Sequence, residues 1–272
     1  MAIAASMKSF GAAILLLGAS AVAAEAAQCG NTAAGFETWK AAFAREAASS
    51  GVGQKGLNAL AGTTYASKTI YADRNQKSFK LSLNEFMNKR GATTIASKGK
   101  SLKKQNAALF QQIEARYGVP AGPLLAIWGM ETGFGSFMGN QNTISAVATL
   151  AYDCRRSDYF TDQLYAALQL IDRGTLSPSS IGAAHGEVGQ TQFLPVNVLK
   201  YGVDGDGNGR IDLIGSRADA LASTANFLKG HGWRAGAGYQ PGQPNFAAIQ
   251  GWNAASVYQQ AIAIIGQQID GN

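Results

Sequence analysis

Apolar positions recur at helical spacing along most of the chain. In "FETWKAAFAREAASSG", Phe36, Trp39, Phe43 and Ala47 fall on one face, and Gly51 follows them. This predicts an amphipathic helix that the glycine stops. "KSFKLSLNEFMNKR" and "SLKKQNAALFQQIEARYG" repeat the pattern, the second with Leu102, Leu109, Ile113 and Tyr117 in one stripe. Residues 33–115 therefore read as successive amphipathic helices. "VPAGPLLAIWGMETGFG" departs from them. Leu124, Leu125, Ile127, Trp128 and Met130 make it apolar on nearly every side, the mark of a buried helix. Pro123 suits its first position and Gly133 its end.

"TISAVATLAYDCRRSDYFTDQLYAALQLIDRG" reads as one long helical region, and "RADALASTANFLKGHG" and "NAASVYQQAIAIIGQQI" as two more helices. Residues 178–198 are Gly-rich and kinked at Pro195, and 204–219 form a charged, Gly-spaced loop. Strand signals are few and short. The expected class is mainly α, with a small β element at most.

The apolar helix ends in one carboxylate, Glu131. Apolar neighbours would desolvate its charged form, and the helix C-terminus would repel it. Both effects raise its pKa, as a general acid at neutral pH requires. The competing reading is a helix-terminal Glu that points to solvent. Glycoside cleavage usually employs two carboxylates, and no second one lies close in sequence. Asp153 and Asp158 have Arg155 and Arg156 beside them, and Glu187 belongs to a separate Gly-rich loop. A single acid would need a nucleophile from the substrate, which an N-acetyl sugar can supply through its acetamide.

Composition narrows the setting. A chain of 272 residues, 46% hydrophobic and 15% charged, suits one large domain or two small ones and excludes a disordered protein. The first 27 residues carry Lys8, an apolar run and Ala24-Glu25-Ala26. They read as a secretory signal peptide, with a membrane anchor as the alternative. The mature protein is then expected to be exported to the periplasm without a stable anchor. Cys29 and Cys154 are expected to form a disulfide there; two buried thiols are the other reading. The net charge of +6 would draw the protein to an anionic surface, wall polymer or membrane. Its only dense run, Ser97–Lys104, reads as a solvated helix start. No nucleic-acid motif is present.

The blocks "WGMETGFGSFMGNQN", "ATLAYDCRRSDYF", "GEVGQTQFLP", "VDGDGNGRIDL" and "ANFLKGHGW" occur in that order. From about Asp73 to the C-terminus the chain resembles the lytic murein transglycosylases of the B type. The resemblance implies a lysozyme-like core over 111–272, preceded by a helical region over 28–110. It implies Glu131 as acid and then base, acting on peptidoglycan glycan strands between N-acetylmuramic acid and N-acetylglucosamine. The acetamide assists, and the product carries a 1,6-anhydromuramyl end. Gln192 matches the family's substrate-binding Gln. Asn253 and Tyr258 in "GWNAASVY" match an Asn and a Tyr, while Trp252 stands for a Tyr. Phe227 replaces another Tyr, and Phe86 matches an aromatic of the cleft. Ala183 stands where many members have Ser, and Glu187 where a small residue is common. No appended wall-binding domain is expected, and the protein is expected to act as a monomer.

"DGDGNGRID" has carboxylate or amide oxygens at the first, third and fifth positions of an EF-hand loop and Gly at the sixth. The twelfth position is Gly215 where Glu is usual. The family closes a variant loop with a later Asp, which Asp219 matches. Asp204, Asp206, Asn208, the Arg210 carbonyl and Asp219 are thus expected around a structural Ca²⁺, with an unliganded Asx–Gly turn as the alternative. No catalytic cofactor is expected. The rival functions are a hydrolytic muramidase on the same fold, a non-catalytic wall-binding protein and, least of all, a calcium sensor.

Overall fold

A computed structural model describes residues 27–75 and 81–271. The signal-peptide reading falls almost wholly outside them, as does the "KSFK" start of one expected helix. Among the described residues there are thirteen α-helices. In chain order they are α1 Phe36–Ser49, α2 Gln54–Ala61, α3 Ser67–Arg74, α4 Leu83–Arg90, α5 Ala92–Gln105, α6 Ala107–Tyr117, α7 Ala121–Thr132, α8 Thr143–Tyr152, α9 Ser157–Asp172, α10 Pro195–Tyr201, α11 Arg217–Gly230, α12 Phe246–Trp252 and α13 Ser256–Asp270. The β element is one short antiparallel pair, β1 Gln141–Asn142 and β2 Ile181–Gly182, with Gln141 opposite Gly182. The expected class holds: mainly α, with a small β element. No helix among the described residues is long and apolar enough to cross a membrane.

The apolar stripe of α1 is buried as its spacing requires: Phe36, Trp39, Phe43 and Ala47 all face the core. Helix α7 lies deepest, packed between α13 and α5, and all of its residues except Glu131 are buried. The α7–α13 crossing is tight because both helices offer glycine there. A Cβ on Gly122 would overlap the Gly266 carbonyl oxygen.

Several element boundaries differ from expectation. Helix α7 begins at Ala121, so Pro123 is its third residue, still within the turn whose N–H groups need no partner. The "SLKKQNAALF" run is two helices. Asn106 donates its side-chain amide to the Leu102 carbonyl at 2.9 Å, and this local bond competes with the backbone ladder. The lysine run forms the second half of α5 rather than a helix start. Pro195 opens α10 at its first position instead of kinking a segment. Between α8 and α9 the chain breaks at Asp153, which accepts from Arg74 at 2.6 Å. Next to it Cys154 is joined to Cys29 in the expected disulfide. The bridge fastens the N-terminal segment, whose Gly30 N–H also bonds the Tyr152 carbonyl at 2.9 Å.

Candidate active site

Helix α7 delivers Glu131 to the wall of a cleft of about 240 Å³, which Glu187, Gln192, Asn197, Phe227, Trp252 and Asn253 also line. The helix must end just beyond the acid, and it does so in left-handed backbone at Gly133 and again at Phe134. Thr132 ties that end to the next loop. Its hydroxyl donates to the Gln190 carbonyl at 2.6 Å and accepts the Gly135 N–H at 2.9 Å.

Glu131 is held from one side. The Trp252 indole donates to Oε1 at 3.0 Å, and the Tyr258 hydroxyl donates to the same oxygen at 2.7 Å. With both donors on Oε1, the proton of a neutral carboxyl belongs on Oε2. Burial raises the pKa of Glu131; the bonds from Tyr258 and Trp252 and the nearby Arg90 charge oppose this, while the Glu187 charge adds to it. The balance lies above the usual carboxylate range, as a general acid requires. Arg90 is fixed with its guanidinium 5.3 Å from the Phe86 ring and 5.8 Å from the Tyr258 ring.

The other expected site residues divide by exposure. Gln192 lines the cleft from left-handed backbone, φ 60°. That conformation is strained for a residue with a Cβ and is held by side-chain bonds to the Gly189 and Met138 carbonyls. Asn253 lines it too, its Oδ1 accepting the Ala255 N–H at the start of α13. Phe227 reaches the cleft but is 4% exposed, stacked on His231 and edge-on to Trp252. Phe86 and Tyr258 are buried, 1% and 3% exposed. In this conformation they back the acid rather than touch a ligand, because the Trp252 and Glu131 side chains take the cleft face. Trp252 likewise spends its N–H on the acid.

Sequence spacing gave no signal for Arg90, which arrives from α4, or for Thr132, whose partners Gln190 and Gly135 lie in the loops beyond α7. Glu187 was visible five residues before Gln192, but its separate loop concealed that it shares the cleft with Glu131. A larger cavity of about 460 Å³, which Lys103, Tyr239 and Asp270 help line, offers nothing comparable. Asp270 is already engaged by Lys103, Gly122 and Tyr239.

In the 204–219 loop, carboxylate oxygens of Asp204, Asp206 and Asp219 lie within 4.8 Å of one another. Asp204 accepts the N–H groups of Gly207, Asn208 and Gly209, and Asn208 accepts that of Arg210. Asp219 is buried and accepts the Gly205 and Asp212 N–H groups, one on each oxygen. Such hard oxygens, gathered by a fixed backbone, fit a Ca²⁺ ion.

Comparison with known proteins gives a consistent answer. A family model described as Transglycosylase SLT domain matches residues 35–243. Membrane-bound lytic murein transglycosylase B of Escherichia coli (strain K12) is 36% identical over 138 residues, 47% of this chain and 38% of its own length. The chain thus spans well under half of that relative. The crystal structure of SltB3 from Pseudomonas aeruginosa in complex with NAG-anhNAM-pentapeptide superposes with a TM-score of 0.81 at 31% identity, covering 87% of this chain and 80% of that one. The Escherichia coli lytic transglycosylase Slt35 in complex with calcium shares the fold, with a TM-score of 0.75 at 23% identity over 89% of this chain and 96% of its own.

Proposed function

The chain belongs to the Transglycosylase SLT domain family, and from that premise we propose that it is a lytic transglycosylase of peptidoglycan. The carrying observation is Glu131, raised in pKa by burial and held through Oε1 on the cleft wall. Its Oε2 proton passes to the glycosidic oxygen between N-acetylmuramic acid and N-acetylglucosamine. The bond from that oxygen to C1 breaks, and its electron pair stays on the oxygen. The muramyl acetamide oxygen closes on C1 and forms an oxazolinium cation. Glu131, now a carboxylate, removes the proton of the C6 hydroxyl, whose oxygen attacks C1 and releases the acetamide. The product is a 1,6-anhydromuramyl end, no water is consumed, and Glu131 is protonated again for the next cycle.

Gln192 and Asn253 would hydrogen-bond the sugar, with the Trp252 and Phe227 edges as apolar wall. The disulfide supports export to an oxidising compartment, the periplasm, where the polymer lies. Asp204, Asp206, Asn208, Arg210 and Asp219 would hold Ca²⁺, which relieves repulsion among the gathered carboxylates and braces the loop whose Leu213 carbonyl accepts the Gln190 N–H.

Mass spectrometry of soluble products from purified peptidoglycan tests the reading, with wild type beside Glu131→Gln. Muropeptides lighter by one water than hydrolytic products, absent with Glu131→Gln, are expected. Full-mass reducing ends would overturn it in favour of hydrolysis. Retained binding without products from either protein would leave a wall-binding function.

A further inference from the structure

A reaction with one acid leaves a positive charge on the substrate acetamide as soon as Glu131 gives up its proton. The geometry points to Glu187 as a second catalytic carboxylate, whose negative charge faces that cation in the cleft. This inference rests on the acetamide-assisted reading above and adds a residue to it.

Among the described residues that line the cleft, Glu187 and Glu131 are the only ones with ionisable side chains. No described lysine or arginine lines that wall with them. Glu187 is held from behind. Its Oε2 accepts the His185 N–H at 3.0 Å, and its Oε1 lies 3.3 Å from His185 Nδ1. The far side of the same ring, Nε2, lies 3.7 Å from Asp73 Oδ1. Asp73 in turn is bridged to both Arg155 and Arg156. Polar groups in contact therefore run from the arginines through Asp73 and His185 to the cleft, and end in the Glu187 carboxyl.

The backbone fixes the end of this chain. The Glu187 carbonyl accepts the Ala183 N–H at 2.9 Å, and Val188 pairs with Phe193 across the turn that carries Gln192. A Cβ on Gly186 would overlap Val147, so the loop is seated directly on α8. The carboxylate cannot easily swing away.

An anion only 25% exposed, on a cleft wall that has no lysine or arginine among the described residues, is a costly arrangement. The cost is offset when the cleft contents become positive, as they do between the two chemical steps. The two acids are also driven apart in character. Burial pushes Glu187 up, but the bonds and charge of His185, with backbone N–H groups, outweigh it and hold Glu187 below the usual range. Glu131 is held above it. A neutral acid beside an ionised one, in one cleft, is the pattern of divided catalytic roles.

Steady-state kinetics on peptidoglycan with the full chain tests the assignment. Glu187→Gln keeps the shape and removes the charge. The expected result is a fall in kcat of about 100-fold with KM nearly unchanged and anhydro ends still the product. Formate should restore part of the rate to Glu187→Ala and none to Glu131→Gln. Circular dichroism checks that each variant is folded, and Glu187→Asp, which keeps the charge, should retain more rate than the amide. An unimpaired Glu187→Gln, or a loss confined to KM, would overturn the inference and leave the acetamide reading intact. Reducing ends that disappear only with Glu187→Gln would instead assign the carboxylate to water. Reducing ends alone from wild type would sink the acetamide reading itself.

Discussion

Glu131 in the cleft and Asp204 in the 204–219 loop are both carboxyl groups held by fixed donors, yet their surroundings push them opposite ways. Asp204 takes backbone N–H bonds on both oxygens, that of Gly209 foremost, and these hold it below the usual range. Glu131 takes two side-chain donors on one oxygen amid apolar α7, and burial outweighs them. The number of donors matters less than what replaces water around the rest of the group. One arrangement gathers charge for a cation. The other suppresses charge to keep a proton.

The sharpest break of this contrast is Glu131→Gln, which keeps both donors and removes the proton. Release of soluble muropeptides should fall about a thousandfold or more, as a turbidity or product-release assay reads; a variant within tenfold of wild type would remove Glu131 from the chemistry. The loop should answer to metal instead. Calcium at about 100 times its Kd should add ~2.7 kcal/mol of stability, seen as a rise of several degrees in melting temperature that EDTA reverses. Asp219→Asn should abolish that rise, and an unchanged response would take Asp219 out of the ion site.

Tyr258→Phe acts on the balance at Glu131. The lost bond favoured the ionised form, so the acid should hold its proton to higher pH. The basic limb of the pH–rate profile should move up and kcat should fall about tenfold. A limb that moves down would mean that Tyr258 does not donate to the carboxylate. The smallest effect concerns stability. A carboxyl raised in the folded state stabilises fully below its unfolded pKa, and this is lost as pH rises through the folded one. At pH 7 Glu131→Gln should therefore melt about 2–4 °C higher than wild type. The gap should close as pH falls below the usual carboxylate range. An equal melting temperature at both pH values would mean that burial does not strain Glu131.

Much of this was legible beforehand. The all-apolar run before Glu131 marked both a buried helix and a perturbed acid, because a segment apolar on every side has nowhere else to go. The Asp–Asn–Gly spacing of residues 204–209 marked the loop for the same reason: its oxygens are local in sequence. Helix breaks at Asn106 and at Asp153 were not legible. The first depends on a side-chain bond to Leu102, the second on partners from elsewhere in the chain.

The amino-acid sequence by itself determined the helical class, the position of the acid, the acidic loop and the pairing of its only two cysteines. All of these follow from spacing along one segment or from counting. Only the tertiary structure decided what surrounds Glu131. Tyr258 is 127 residues away and Trp252 is 121, and both turn their donors onto one oxygen. Glu187 enters the same cleft from a loop fixed through His185 and Asp73. Charge state is set by distances of a few ångströms, because electrostatic and hydrogen-bond energies fall off over that range. Separations along the chain do not encode such distances; the packing of α7 against α13 does.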